Sequence, residues 1–170
     1  CNYATAQLYW SNSSTWTSFG ATKPVAGSAV VIPDGIEIIL NESPPALASL
    51  NIMGKLQFAN QDLNLTVGWI MVMGTLEVGT ETSPYTSKAV ITLNATNPNE
   101  EIMGMGTRGI MVMGGQLELH GNPPSAVKTK INNHAISGSS TITLLDAVSW
   151  NVNDQIVIAP TDYYGAGNSN

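Results

Sequence analysis

Residues 110–121 read Ile-Met-Val-Met-Gly-Gly-Gln-Leu-Glu-Leu-His-Gly, and this stretch decides the fold. Ile110 and Val112 occupy alternate positions, a glycine pair follows, and Leu117 and Leu119 resume the alternation. A period of two is that of a β-strand, and the glycine pair marks a corner or bulge where a β-carbon would clash. Two earlier stretches repeat the pattern: Leu-Asn-Ile-Met-Gly-Lys-Leu-Gln-Phe at 50–58 and Ile-Met-Val-Met-Gly-Thr-Leu-Glu-Val-Gly at 70–79.

Gly54 and Gly74 lie twenty residues apart, and Gly114 lies two further periods on. At the skipped position stands Asn94, of the residue type that best tolerates positive φ after glycine. Asp34-Gly35 falls one period before Gly54, while Asn133-His134 and Asn153-Asp154 keep the interval further on. A repeat of this length, built of short strands and tight corners, predicts an all-β, right-handed parallel β-helix with rungs of roughly twenty residues. Stacked at that period, one column reads Val30, Leu50, Ile70, Val90, Ile110 and the next Ile32, Ile52, Val72, Thr92, Val112. A third reads Ile36, Leu56, Leu76, Thr96, and a fourth Ile38, Phe58, Val78, Pro98. These are the expected interior ladders. The competing architecture is a β-sandwich with evenly spaced strands, which gives no reason for aligned corner residues. Ile91 and Leu93 are one residue out of phase, so a slip or bulge is expected near 90–98.

The 170 residues suffice for one domain with a substantial core. Charged residues make up 11 %, against a usual quarter, while hydrophobic residues make up 43 %. Patterned apolar content of this size excludes disorder. A net charge of −6 with only six scattered Lys and Arg excludes a nucleic-acid binder, which needs a basic patch. No apolar run is long enough for a transmembrane helix. Cys1, the single cysteine, opens the chain like a mature or excised start and permits no internal disulfide.

Along the chain, residues 1–28 read as an N-terminal cap, 29–160 as rungs and 161–170 as a tail or linker, all within one domain spanning 1–170. Trp10, Trp16 and Phe19 fit the core of that cap better than a sugar-stacking platform. Strand regions are also expected at 127–136 and 141–145. Gly104, Gly106 and Gly109 form a Gly-x-Gly-x-x-Gly pattern, but a strand follows it where a dinucleotide fingerprint needs a helix.

Gly-Gly-Gln-Leu-Glu-Leu-His-Gly at 114–121 resembles the Gly-Gly-x-Leu-Glu-Leu-His-Gly signature of the eight-glycine (G-8) domain. That domain occurs in fibrocystin and in the cell-migration-inducing and transmembrane cell-surface hyaluronidases. Leu50–Phe58, Gly74–Thr80 with Pro84, and Trp150–Tyr163 resemble further segments of the family, as does the opening with Cys1 and Trp10. The chain departs from the pattern at Asn153, where the family usually has glycine, at Val127–Ile131, and in lacking the cysteines of animal members. The resemblance implies an extracellular location, a parallel β-helix and a link to glycans, without fixing catalysis.

Glycoside hydrolysis needs two carboxyl groups about 5–9.5 Å apart. Glu37, Gln57, Glu77, Asn97 and Glu118 fall in nearly one outward column, with Glu77 and Glu118 expected two rungs, or about 9.6 Å, apart. His120 shares their face and could act as acid or base. A solvated polar ladder explains the same residues more simply. His120 and His134 are the only histidines, so no zinc site is expected. Asp154 and Asp162 could ligate calcium, although turn capping is the commoner role; no cofactor is otherwise implied. Glycosylation sequons begin at Asn12, Asn41, Asn64 and Asn94.

The opposite phase of the strands carries Pro33, Met53, Met73, Leu93, Met113 beside Val31, Asn51, Met71, Ile91, Met111. An outward face this apolar predicts a contact surface, and methionine suits adaptable ones. Met53, Met71, Met73, Met111 and Met113 are the expected interface, toward another copy or a neighbouring domain, with intramolecular cover by the Trp-bearing lead-in or the tail as the equal alternative. The sequence thus describes a secreted or cell-surface, non-catalytic module for assembly, adhesion or glycan contact. The alternative is an accessory or catalytic part of a polysaccharide-degrading enzyme.

Overall fold

A computed structural model describes residues 7–94, 101–102, 104 and 106–159. The elements are β1 (Leu8–Tyr9), α1 (Ser13–Thr17), β2 (Ala29–Ile32), β3 (Glu37–Leu40), β4 (Leu47–Ile52), β5 (Lys55–Phe58), β6 (Leu63–Val72), β7 (Thr75–Val78), β8 (Ala89–Leu93), β9 (Ile110–Val112) and β10 (Gln116–Leu119). The chain divides into two compact units, residues 1–122 and 123–170.

In the first unit the strands build two parallel sheets. One runs β2-β4-β6, with both β8 and β9 paired to the ten-residue β6; the other runs β1-β3-β5-β7-β10. All ladders between these strands are parallel, which excludes an antiparallel meander. The inward residues of both sheets merge into one apolar cluster in which Ile32, Ile38, Leu50, Ile52, Leu56, Ile70 and Leu76 are fully buried. Each such side chain contributes about 1.5–3 kcal/mol of hydrophobic stabilisation.

The columns of the first sheet fall as the period predicts: Val30, Leu50, Ile70 and Ile110 pair in series, as do Ile32, Ile52, Val72 and Val112. Val90 and Thr92 do not join them. They pair with Asn64 and Thr66 in the first half of β6. Inward residues of β6 are Leu63, Leu65 and Val67 before Gly68, then Ile70 and Val72 after it, so the pleat changes phase there. Strand β8 lies before the change, which puts Ile91 and Leu93 against the core beside Leu65 and Val67. The slip expected near this repeat is therefore present. Asn94 is no corner: its N–H donates to Val67 O, and Asn153 is the one described non-glycine residue with positive φ.

In the second sheet the columns shift by two residues. Ile38, not Ile36, pairs with Leu56, followed by Leu76 and Leu117, and Leu40 pairs with Phe58. Corner length is the cause. Pro33–Ile36 puts four residues between β2 and β3, whereas Met53-Gly54 and Met73-Gly74 put two between later strand pairs. The corner at 113–115 has three, so the residue stacked on Gly74 is Gly115 rather than the expected Gly114. Gly114 takes φ +76° in open space. The stack itself is tight: a β-carbon on Gly54 would strike the carbonyls of Pro33 and Ile36, one on Gly74 those of Met53 and Gly54, and one on Gly115 that of Gly74. The backbone ladder continues through these corners, with Met53 N–H on Ile32 O at 2.9 Å, Met73 N–H on Ile52 O at 2.8 Å and Met113 N–H on Val72 O at 2.8 Å.

The N-terminal segment caps the core. Trp10 and Trp16 are buried edge to face with ring centroids 4.7 Å apart, and Trp16 Nε1 donates to Trp10 O at 2.9 Å. Asn12 caps α1 by accepting Ser14 N–H. The other end differs from expectation. Strands foreseen to continue to residue 160 stop, among the described residues, at β10, and the strands foreseen at 127–136 and 141–145 are represented only by an antiparallel bridge between Ile131 and Leu144. Leu119 pairs with the buried Val78 but is 54 % exposed, since no described strand stacks beyond β10.

Gly74→Ala should destabilise the fold by about 3 kcal/mol or more, because backbone must move to admit the methyl group. Gly114→Ala should lose only about 1–2 kcal/mol, the penalty for a side chain in the left-handed region. Equal urea midpoints for the two variants would contradict the corner stack.

Candidate functional site on the second sheet

The outer face of the second sheet carries one column across all five strands: Tyr9, Ile39, Gln57, Glu77 and Glu118. Glu37 is not in it. The four-residue first corner moves Glu37 into the adjacent column, with Lys55, Thr75 and Gln116. Asn97 lies outside the described residues. The separation of the carboxylates also differs from expectation. Glu77 and Glu118 pair directly, one strand interval or about 4.8 Å apart along the sheet rather than two. The intervening repeat sends β8 into the other sheet and leaves β7 and β10 as neighbours.

Like charges directly opposite on adjacent strands destabilise a sheet, and each carboxylate here has its own cationic or potentially cationic partner. Lys55 Nζ lies 2.8 Å from Glu77 Oε2, reaching diagonally across the strand pair, and the Glu77 side chain is only 9 % exposed. His120 Nε2 lies 2.7 Å from Glu118 Oε2 in a more open position. An acid–base pair for glycoside hydrolysis needs one carboxyl group free to carry a proton to the bond being broken. Glu77 is instead held against lysine, and Glu118 against histidine.

Tyr85 fixes the end of this face. Its N–H donates to His120 O at 2.7 Å, and its part-buried hydroxyl, with one proton to give, lies within donating distance of the carbonyls of both Ala59 and Gln61. Gly79, at φ +73°, lets the chain turn there, since a β-carbon would strike His120 O and Tyr85 N. Burial raises the Tyr85 pKa above its ordinary 10; the Gln61 hydrogen bond opposes the shift and the Asp62 charge adds to it. Lys55, Tyr9 and Tyr85 were not foreseen as parts of the site. Lys55 alone left a signal, as the residue that begins a strand immediately after a corner glycine.

The methionine stripe divides. Met53, Met73 and Met113 are exposed by 36, 40 and 52 %, whereas Met71 and Met111, also expected outside, are buried. Among the sequons, Asn12 is exposed, Asn41 is half-buried with its amide bonded both ways to Ser11, and Asn64 is exposed on β6. Asn94 is exposed, but residues 95–96 of its sequon lie outside the described residues, as do Cys1 and Asp162. Asp154 Oδ2 accepts Asn151 N–H at 2.7 Å and so caps the turn in which Asn153 takes φ +79°, the conformation that suits the glycine usual there in the family. No group of three metal-ligating side chains occurs among the described residues, and no described helix is long and apolar enough to cross a membrane.

These features define a class: an all-β domain of parallel strands with glycine-stacked corners and a Leu-Glu-Leu-His strand end. A family model described as the G8 domain matches residues 10–132, and the chain belongs to that family. It is 38 % identical to human fibrocystin-L over 157 residues, covering 91 % of this chain and 4 % of that protein. It is 30 % identical to dog fibrocystin over 155 residues, 89 % of this chain and 4 % of that protein. A G8 domain-containing protein of Dictyostelium discoideum is 29 % identical over 175 residues, 96 % of this chain and 16 % of that protein. The chain thus spans a small part of these relatives. No solved structure matches it.

Two variants probe the face. Lys55→Met should destabilise by about 3–5 kcal/mol by stranding a buried carboxylate, and adding Glu77→Leu should restore most of the loss; a denaturant series on single and double variants measures it. Tyr85→Phe should lose about 1 kcal/mol at neutral pH with its hydrogen bond. Because the folded pKa is raised, the unfolded chain ionises first, so Tyr85 contributes fully below pH 10 and its share is lost as pH rises through the folded value. Alkaline denaturation of Tyr85→Phe should therefore be flatter above pH 10 than that of the parent.

Proposed function

We propose that this chain is a non-catalytic, extracellular structural and interaction module, a right-handed parallel β-helix that assembles with another chain or a neighbouring domain. The helical reading is supported by the way consecutive strands from β2 to β7 alternate between two parallel sheets through stacked corners. Parallel crossovers of this kind are right-handed in about 98 % of cases. An extracellular setting accords with the low charge content and the sequons.

One observation carries the assembly reading: Met53, Met73 and Met113 stand exposed at successive corners as an apolar ridge. Unbranched, polarizable side chains adapt to a partner surface and are poorly placed in water. Met73→Glu with Met113→Glu should leave a folded chain, by circular dichroism, that no longer associates in light scattering. A wild type that is monomeric and finds no neighbouring domain would defeat the reading; an unfolded double variant would make the ridge core.

The second reading is an accessory or catalytic part of a polysaccharide-degrading enzyme; Glu77 and Glu118 share one face as it requires, but their pairing with Lys55 and His120 counts against it. Depolymerisation abolished by Glu118→Gln would establish it.

A further inference from the structure

We propose that the outer face of the second sheet binds a neutral oligosaccharide, laid across the strands along the column Tyr9, Ile39, Gln57 and Glu77. The proposal rests on the non-catalytic reading of the carboxylate pair and concerns a different face from the methionine ridge.

Two shallow cavities adjoin on this face. One, of about 500 Å³, is lined by Glu37 and Lys55; the other, of about 310 Å³, by Tyr9, Glu77 and Tyr85. Ile39 and Gln57 line both, so together they form one trough across the sheet. Its floor repeats at the strand spacing, and the four column positions that line it, Tyr9 to Glu77, span about 14 Å. That length suits an extended chain of several small units better than a single compact ligand.

The lining sets the ligand's chemistry. Tyr9 is 38 % exposed, with its hydroxyl held by Gln7 Oε1 at 2.7 Å, and it offers an apolar ring beside Ile39. Such a surface accepts the C–H face of a sugar ring, while the polar rim stays hydrated. Gln57 is half-buried and lines both cavities, where its amide offers two donors and an acceptor. Glu77 forms part of the wall as a carboxylate already desolvated and fixed by Lys55, and carboxylates are strong acceptors for hydroxyl groups. Burial and pairing before the ligand arrives reduce the ordering cost on binding.

Charge selects against polyanions. Lys55 is taken by Glu77, His120 lies against Glu118, and Glu37 adds a further carboxylate to the trough. With a net charge of −6, the field repels uronate- or sulfate-bearing chains. A neutral, hydroxyl-rich chain satisfies the amide and the carboxylates without opposing that field.

The test titrates the chain by calorimetry with cellohexaose, mannohexaose, xylohexaose and chitohexaose, and with a hyaluronan hexasaccharide and heparin as polyanions. At least one neutral oligosaccharide should bind with little salt dependence. Tyr9→Ala and Gln57→Ala, both on the solvent side of the sheet, should each weaken that binding about tenfold or more while circular dichroism and the melting transition stay unchanged. Binding to the polyanions alone, binding to none of the neutral chains, or binding indifferent to both variants would overturn the proposal. Mass spectra of the recovered oligosaccharide separate the two readings: cleaved products would support the site and defeat the non-catalytic function, whereas loss of assembly in the methionine variants leaves the site untouched.

Discussion

Among the described glycines, the tightest packing is at Gly74 and Gly54, where backbones meet at the corners. The carbonyls of Met53 and Gly54 occupy the space that a β-carbon on Gly74 would need, and the carbonyl of Gly74 does the same to Gly115. Only glycine permits that approach, and it fixes the register. Once Met73 and Gly74 both donate to Ile52 O, the residues before the corner must pair as Ile52 with Val72, and those after it as Lys55 with Thr75. A slip by one residue would turn every buried side chain to the outside. The apolar columns supply most of the stabilisation, but the corners decide which residues form the columns.

This explains what the sequence discloses and what it conceals. The first sheet leads into the corners, and its columns follow the twenty-residue period directly, from Val30 and Ile32 to Ile110 and Val112. The second sheet leaves them, so its phase depends on corner length. Pro33–Ile36 is two residues longer than Met53-Gly54, and this moves Ile38 to the place that periodicity alone gives to Ile36. A fixed period cannot represent a variable corner. For the same reason Gly114 and Gly115 exchange roles: both are glycine in the sequence, but the three-residue corner makes one a left-handed hinge and the other the stacked contact. The change of pleat at Gly68 was foreshadowed by the mismatch of Ile91 and Leu93. The route of β8 into the first sheet, leaving β7 beside β10, depends on tertiary pairing and had no local signal.

The outer face inherits these shifts. Had the second sheet kept the simple period, Glu37 would stand in the carboxylate column and Glu77 would be two strands from Glu118. Instead Ile39 and Gln57 lead to two carboxylates in direct opposition. Such an opposition persists only with compensation, which Lys55 supplies to the more buried carboxylate and His120 can supply to the more open one. Removing one partner from a buried pair is far more damaging than never having built it, so Lys55 and Glu77 are tied to each other more firmly than either is tied to any ligand. This accords with the proposed binding of a chain of hydroxyl groups rather than with proton transfer.

The same corners that order the core also order the apolar ridge. Each stacked turn opens on methionine: Met53 before Gly54, Met73 before Gly74, and Met113 before the pair Gly114-Gly115. At these corners the methionine donates its N–H to the preceding repeat, and its side chain is left partly exposed. Met71 and Met111, two residues earlier on straight strand, are buried. An interaction surface placed at the corners has the register of the backbone ladder, with its side chains repeating at about the strand spacing. On the proposed assembly reading, a partner of this ridge follows the regularity of the fold itself, so a substitution that disturbs the glycine stack should disrupt association even where every methionine remains.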